Sequence, residues 1–412
     1  MSANGNGASN GDRLIGEYQE SKLLKRAAEV VRDKAKECTV FDRDAEQRIP
    51  RFELAELELG RVLGRGGFCV VNEIKKITLD GNSVNESNGV GGNGRDQHDE
   101  DYVSNIVQDR KFMESYCIRK GNQARYAIKI LSESTMNDAH TFINGIVDLA
   151  IEARFLAVIR HPNIIKMRAV RMGEVFHRDY FLVLDRLYDT LTQRVISWKK
   201  RKVTGFKKLI DMKGKKKTAF WLERITVAYD LSSALKYLHG LNIVYRDLKP
   251  DNIGFDVRGD VKIFDFGLAK ELPSDPSVRV GDLYKMTGDT GSLRYMAPEV
   301  ALEKPYDESV DVYSFGILLY QMCALETPFE GYTVNMFNKK VIRGGARPKV
   351  DAKWPEHITS MMSRAWGTDI PNRPTMEEMS RVLRDEINQL ADEEVNELLD
   401  ISRKSEISMH SK

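Results

Sequence analysis

The sequence predicts an α+β fold in two parts, a small antiparallel sheet with one main helix followed by a larger, mostly helical region. Three observations carry this. The stretch FELAELELGRVLGRGGFCVVNEIKKITL, after Ile49-Pro50, alternates apolar and polar residues on both sides of a glycine cluster, which reads as two strands joined by a Gly-rich turn. Asp148 to Arg160 has helical spacing and is stopped by His161-Pro162. Beyond Leu187 the apolar residues recur mainly at helical spacing.

In chain order, residues 1–13 are Asn-, Gly- and Ser-rich, too polar to pack, and are expected to be disordered. Residues 14–50 form an extension in which Leu23, Leu24, Ala27, Val30 and Val31 define an amphipathic helix from Glu17 to Cys38. Such a helix lies on the next domain or serves a partner or an inhibitory contact. The first part is set at 51–185 and includes strands at Arg125 to Leu131, Ile164 to Val170 and Tyr180 to Leu184. An insertion over about 81–122 interrupts it, with a Gly- and Asn-rich loop at 81–98 and a short helix carrying Val103, Ile106, Val107, Phe112, Met113 and Tyr116. Insertions of this kind are tolerated at loop tips. The second part is set at 186–390, with helices at Thr190 to Trp198, Phe220 to His239, Val310 to Leu325, Val334 to Arg343, Ile358 to Trp366 and Met376 to Leu399, and a tail follows at 391–412.

Composition excludes several classes. The chain has 412 residues, 42% hydrophobic and 30% charged, with a formal net charge of only +2, so no global field points to nucleic acid or to a membrane. The four cysteines, Cys38, Cys69, Cys117 and Cys323, show no metal or disulfide spacing and imply free thiols in a reducing compartment. No apolar signal core or run of 18 apolar residues occurs, and a cytoplasmic protein with possible nuclear access is expected. One local exception is 199–217, with ten lysines and arginines against one acid; it reads as a solvated loop, as a dock for an acidic partner, or as a nuclear-import or nucleic-acid segment.

The chemistry concentrates between Tyr245 and Gly267, YRDLKPDNIGFDVRGDVKIFDFG. A loop and hairpin there can hold Asp247, Asn252 and Asp265 around one small volume, an oxygen-rich set suited to a hard divalent cation and phosphate. The string resembles the catalytic loop and D-F-G segment of eukaryotic protein kinases of the serine/threonine type, with Tyr245 in place of the usual histidine. Further motifs extend the likeness over about 57–385: GRGGF, YAIK at 126–129, RYMAPEV with APE at 297–299, DVYSFGILL and PNRPTM, the last three together resembling the tyrosine-kinase-like group.

The resemblance implies a two-lobed fold that uses ATP and Mg²⁺ to phosphorylate serine or threonine in protein substrates, with control by activation-loop phosphorylation. It assigns Asp247 to the substrate hydroxyl, Lys249 to the transferring phosphate, and Asn252 and Asp265 to magnesium. Nucleotide contacts are implied for Leu63, Gly64, Arg65, Gly66, Gly67, Phe68, Cys69, Val71, Ala127, Lys129, Glu152, Asp185 and Leu187. Lys129 pairs with Glu152, which lies ten residues before Pro162; Asp311 caps the catalytic loop and Arg373 pairs with Glu299. Arg246 would receive a phosphate carried by the activation segment, with Thr287 and Thr290 preferred over Tyr284 and Ser277, and Ser292 would bridge to Asp247 and Lys249. Two letters depart from the pattern. Cys69 stands at the third glycine of the loop, and Gly254 replaces a larger apolar residue below the adenine, which predicts a shallower floor. A binding-only pseudokinase rests on these two departures; a small-molecule phosphotransferase is disfavoured by the APE segment with Arg373.

Overall fold

A computed structural model describes residues 17–80, 97–201, 215–288 and 290–392. The chain divides into two compact units, Met1–Ile159 with Lys166–Arg186, and Arg160–Ile165 with Leu187–Lys412.

The first unit is organised on six strands: β1 Arg51–Phe52, β2 Leu57–Arg65, β3 Cys69–Ile77, β6 Tyr126–Leu131, β7 Met167–Arg171 and β8 Phe181–Asp185, in the order β1-β7-β8-β6-β3-β2. A short ladder of β4 Ile118–Arg119 and β5 Gln123–Ala124 precedes β6. All pairings in the six-stranded sheet are antiparallel except β1 with β7, so the expected antiparallel sheet gains one parallel edge pair. Four helices accompany the sheet: α1 Glu17–Lys36, α2 Arg43–Gln47, α3 Gln97–Ser115 and α5 Ala139–Val158, with the single turn α4 Glu133–Met136 before α5. Asp138 caps α5 by accepting from the Thr141 N–H at 2.9 Å. Helix α1 packs against α5 and buries Ala27 and Val31. Arg178 also pairs with Glu20 at 3.0 Å.

The insertion is not confined to a loop tip. Met113, in the last turn of α3, and Cys117, two residues beyond it, lie in the sheet core with Phe52, Leu57, Ile74, Ile77, Tyr126, Ile128, Ala169, Phe181 and Val183. Arg110 pairs at 2.6 Å with Glu56, both side chains 4% exposed, and its guanidinium lies over the Phe52 ring. Met113 of α3 and Cys117 just beyond its end therefore join the core on one face of the sheet, and the segment is structural to this unit.

The second unit is mostly helical. Its strands are β9 Asp189–Thr190, β10 Ile243–Val244, β11 Ile253–Phe255, β12 Val261–Ile263, β13 Lys270–Glu271, β14 Arg279–Val280 and β15 Leu283–Tyr284. Its helices are α6 Leu191–Arg201, α7 Lys215–Gly240, α8 Pro298–Ala301, α9 Ser309–Ala324, α10 Val334–Phe337, α11 Glu356–Ala365 and α12 at 376–392. Helix α9 is apolar on most of its surface, with Asp311 and Ser314 among its polar positions, and is buried from Val310 to Leu319, the state such a sequence demands. The helix expected from Val334 to Arg343 keeps one α-turn and then widens to a π-turn over Asn338–Ile342. Most of the basic run, 202–214, lies outside the described residues, as do 1–16, 81–96 and 393–412.

Candidate active site

Strands β2 and β3 of the first unit place Leu63, Gly64 and Arg65 on one arm of the glycine turn and Cys69 and Val71 on the other, with Gly64 opposite Val71. Gly66 N–H donates to the Cys69 carbonyl at 2.8 Å and closes the turn. The Phe68 carbonyl accepts from Ser132 N–H and from Thr135 Oγ1, both at 2.8 Å, which fastens the turn beside α4. Cys69 is buried, only 5% exposed, at the first position of β3. The turn thus exposes glycine backbone while its far end is anchored, a form able to cradle phosphate oxygens.

Strand β6 carries Ala127 and Lys129, with Lys129 opposite Val71 on one side and Leu182 on the other. Its ammonium lies 2.5 Å from Glu152 Oε2 on α5, and Glu152 is 1% exposed. A buried charge on a strand interior requires such a partner. Asp185 ends β8, but its carboxylate is held by Arg168 at 2.7 and 2.8 Å.

In the second unit the loop between β10 and β11 presents Asp247, Lys249 and Asn252. The fully buried Asp311, at the start of α9, accepts from Tyr245 N–H at 2.7 Å, Arg246 N–H at 2.8 Å and His239 Nε2 at 3.1 Å. Three donors on one buried carboxylate fix the loop backbone, as the expected capping role requires. Tyr245 packs edge-on against Phe266 with ring centroids 5.2 Å apart. Its hydroxyl donates to the Phe264 carbonyl at 2.5 Å.

The Asp247 carboxylate collects the functional groups. Oδ2 accepts from Lys249 Nζ at 2.7 Å and from Asn252 Nδ2 at 2.8 Å, and Oδ1 accepts from Ser292 Oγ at 2.9 Å. Ser292 thus bridges directly to Asp247. Because Asn252 spends its side-chain nitrogen on Asp247, its side-chain oxygen Oδ1 is the atom left for a hard cation, distinct from its main-chain carbonyl. Asp265 follows β12 in the left-handed region at φ +68°, and Phe264 N–H donates to the Asn252 carbonyl at 3.1 Å, tying the two segments together. Non-glycine residues rarely hold such a φ without a compensating role.

One expectation changes. Gly254 does not leave a shallow floor, because Leu187 fills the space beside it: a Cβ at 254 would lie 2.6 Å from Leu187 Cδ1. Arg246 places its Nε on the Leu268 carbonyl at 2.7 Å and its Nη1 on the Tyr306 hydroxyl at 3.1 Å. Tyr306 was not among the expected site residues; nothing in its local pattern separates it from a core tyrosine. Glu299 meets Arg373 through two bonds, 2.6 and 3.0 Å long, as its pairing in sequence implied.

A sequence profile described as the protein kinase domain matches residues 114–383. Serine/threonine-protein kinase STY17 of Arabidopsis thaliana is 34% identical over 281 residues, covering 68% of this chain and 42% of the relative. Serine/threonine-protein kinase VIK of the same plant is 36% identical over 164 residues, 39% of this chain and 36% of the relative. Dual specificity protein kinase shkE of Dictyostelium discoideum is 28% identical over 222 residues, 53% of this chain and 30% of the relative. The chain thus spans less than half the length of these relatives.

Proposed function

The chain belongs to the protein kinase family, and from that premise we propose that it transfers the γ-phosphoryl group of Mg-ATP to serine and threonine hydroxyls of protein substrates. The observation that carries the reading is the Asp247 carboxylate gripped by Lys249, Asn252 and Ser292. A carboxylate so oriented can take the proton of an incoming hydroxyl, and the Lys249 ammonium beside it offsets the charge of the group in flight. Lys129, held by Glu152, and the backbone of the glycine turn serve the nucleotide phosphates. Asn252 and Asp265 offer oxygen ligands, which suit Mg²⁺. Lys249 in the D-L-K-P string supports serine and threonine as acceptors. Autophosphorylation with radiolabelled ATP tests the reading, with a degenerate peptide library giving the acceptor residue. Signal in the native chain and a loss of about a hundredfold or more in Asp247→Asn support it; background signal in both would refute it.

We further propose that the basic run 199–217 docks an acidic partner or substrate. Its support is the ten-to-one excess of basic over acidic residues. Arg201, at the end of α6, is taken up by Glu223 at 2.6 Å. Binding to an acidic peptide should weaken steeply with salt and disappear when Lys215, Lys216 and Lys217 are neutralised; a salt-independent affinity would end the proposal.

A further inference from the structure

Tyr306 is fully buried, yet its hydroxyl joins two parts of the catalytic apparatus. It accepts from Arg246 Nη1 at 3.1 Å and donates to the Thr287 carbonyl at 2.7 Å. A phenol can do both at once, since it has one proton to give and lone pairs to receive. The backbone of Tyr306 is also paired with Tyr284, N–H to carbonyl in both directions at 3.1 and 3.0 Å. Beyond those two anchors the activation segment is fitted closely to its surroundings at Gly288 and Gly291. A Cβ on Gly288 would meet Glu303 Cγ at 2.6 Å, and one on Gly291, at φ +98°, would meet the Arg246 carbonyl oxygen at 2.4 Å. The next residue is Ser292, whose hydroxyl reaches Asp247. Upstream, β13 pairs with β10 through Ile243↔Glu271 and Val244↔Lys270, so the segment is held at its beginning as well.

A phosphate on the activation segment would tie that segment to Arg246 through two adjacent N–H groups of the guanidinium. Arg246 makes such a tie already, with Nε donating to the Leu268 carbonyl and one N–H of Nη1 to Tyr306. Resting on the kinase reading above, we propose that Tyr306 takes the place of an activating phosphate: it links Arg246 to the 284–292 segment, so that Ser292 and Asp247 are set for transfer without phosphorylation of Thr287 or Thr290. Tyr306 is a positioning residue; it acts through Arg246 and Thr287 and touches no reacting atom.

The full chain and its Tyr306→Phe variant are each stripped with a broad-specificity phosphatase, and the absence of phosphate is verified by mass spectrometry. Phenylalanine keeps the buried ring and the backbone pairing with Tyr284, so only the two hydroxyl bonds are lost. The dephosphorylated native chain is expected to keep most of its kcat/KM for a peptide substrate. The variant should fall about tenfold in that quantity, with its KM for ATP unchanged, as loss of a buried hydroxyl bridge predicts. Amide exchange at 284–292 should quicken in the variant while α9 stays protected. Loss of nearly all activity when the native chain is dephosphorylated would overturn the proposal, as would a variant equal to native in transfer and exchange. If neither protein transfers phosphate even before phosphatase treatment, the kinase reading fails; the exchange comparison then decides the Tyr306 link by itself.

Discussion

The Cδ1 methyl of Leu187 occupies the space that any side chain at Gly254 would need, with the Asp189 carbonyl oxygen closing the same spot at 3.2 Å from a notional Cβ. The glycine is thus a packing requirement. It lets the chain after Leu187 close onto β11, where Gly254 pairs with Thr190 and Tyr188 N–H donates to the Phe255 carbonyl at 2.8 Å. Gly254→Ala should therefore destabilise the protein by about 1–3 kcal/mol through overpacking. It should also raise the KM for ATP. Adding Leu187→Ala should recover part of both losses, a coupling that urea unfolding of the single and double variants would reveal. Additive losses would mean the two residues do not share this space.

Much of the local architecture was readable from spacing alone. Alternation marked β2 and β3, and the His161-Pro162 stop lies just after α5, because each of these features is encoded within a few neighbouring residues. Asp247, Lys249 and Asn252 lie within six residues, so one loop suffices to gather them. Contacts that cross the chain left no such trace. Tyr306 meets Arg246 across 60 residues, and Arg110 meets Glu56 across 54. The helix α3 was expected to begin later and to hang from a loop tip; its anchoring at Met113 and Cys117 depends on a sheet face that periodicity cannot show. Likewise Gly254 looked like a missing side chain, when the missing volume is supplied from a residue 67 positions earlier.

Glu299 and Arg373 form a buried bidentate pair, the side chains 7% and 1% exposed. Arg373 also donates to the Ser309 carbonyl at 3.2 Å and the Gly367 carbonyl at 3.1 Å, so it joins three segments. Arg373→Ala leaves a buried carboxylate unpaired and should cost about 3–5 kcal/mol. Arg373→Lys should recover only part of it, because a single ammonium cannot match both carboxylate oxygens in the plane of the fork. Denaturant midpoints of the two variants check the order; a lysine variant as stable as native would show that charge alone is needed.

Met113 and Phe112 are neighbours on α3 with opposite surroundings, Met113 being 4% exposed and Phe112 50% exposed. If α3 closes the sheet core, Met113→Ala should destabilise the protein by about 2–5 kcal/mol through the lost side chain and the cavity left behind. Phe112→Ala should stay within about 0.5 kcal/mol, apart from its tilted contact with Tyr116 at 4.6 Å. Thermal unfolding of both distinguishes a structural helix from an appended one. Equal, small effects would return α3 to the status of a tolerated insertion.

His161 supplies a pH dependence whose sign follows from its contacts. Burial, and then the positive charge of Lys262, hold its imidazole below the ordinary value of 6.5. Nδ1 accepts from the Asn163 N–H at 3.0 Å, so the ring proton resides on Nε2, which faces Ser233 Oγ at 3.3 Å. Protonating Nδ1 would set two N–H groups against each other. Folded His161 therefore resists the proton that the unfolded chain accepts near 6.5. Its contribution is complete above that pH and declines as the pH falls from 6.5 toward the lower folded value. His161→Asn keeps a short side-chain acceptor for the Asn163 N–H but removes the titration. The stability advantage of the native chain over this variant, measured by urea unfolding, should be largest above pH 7 and shrink in mildly acid buffer. An advantage independent of pH would show that His161 does not stay neutral in the folded chain.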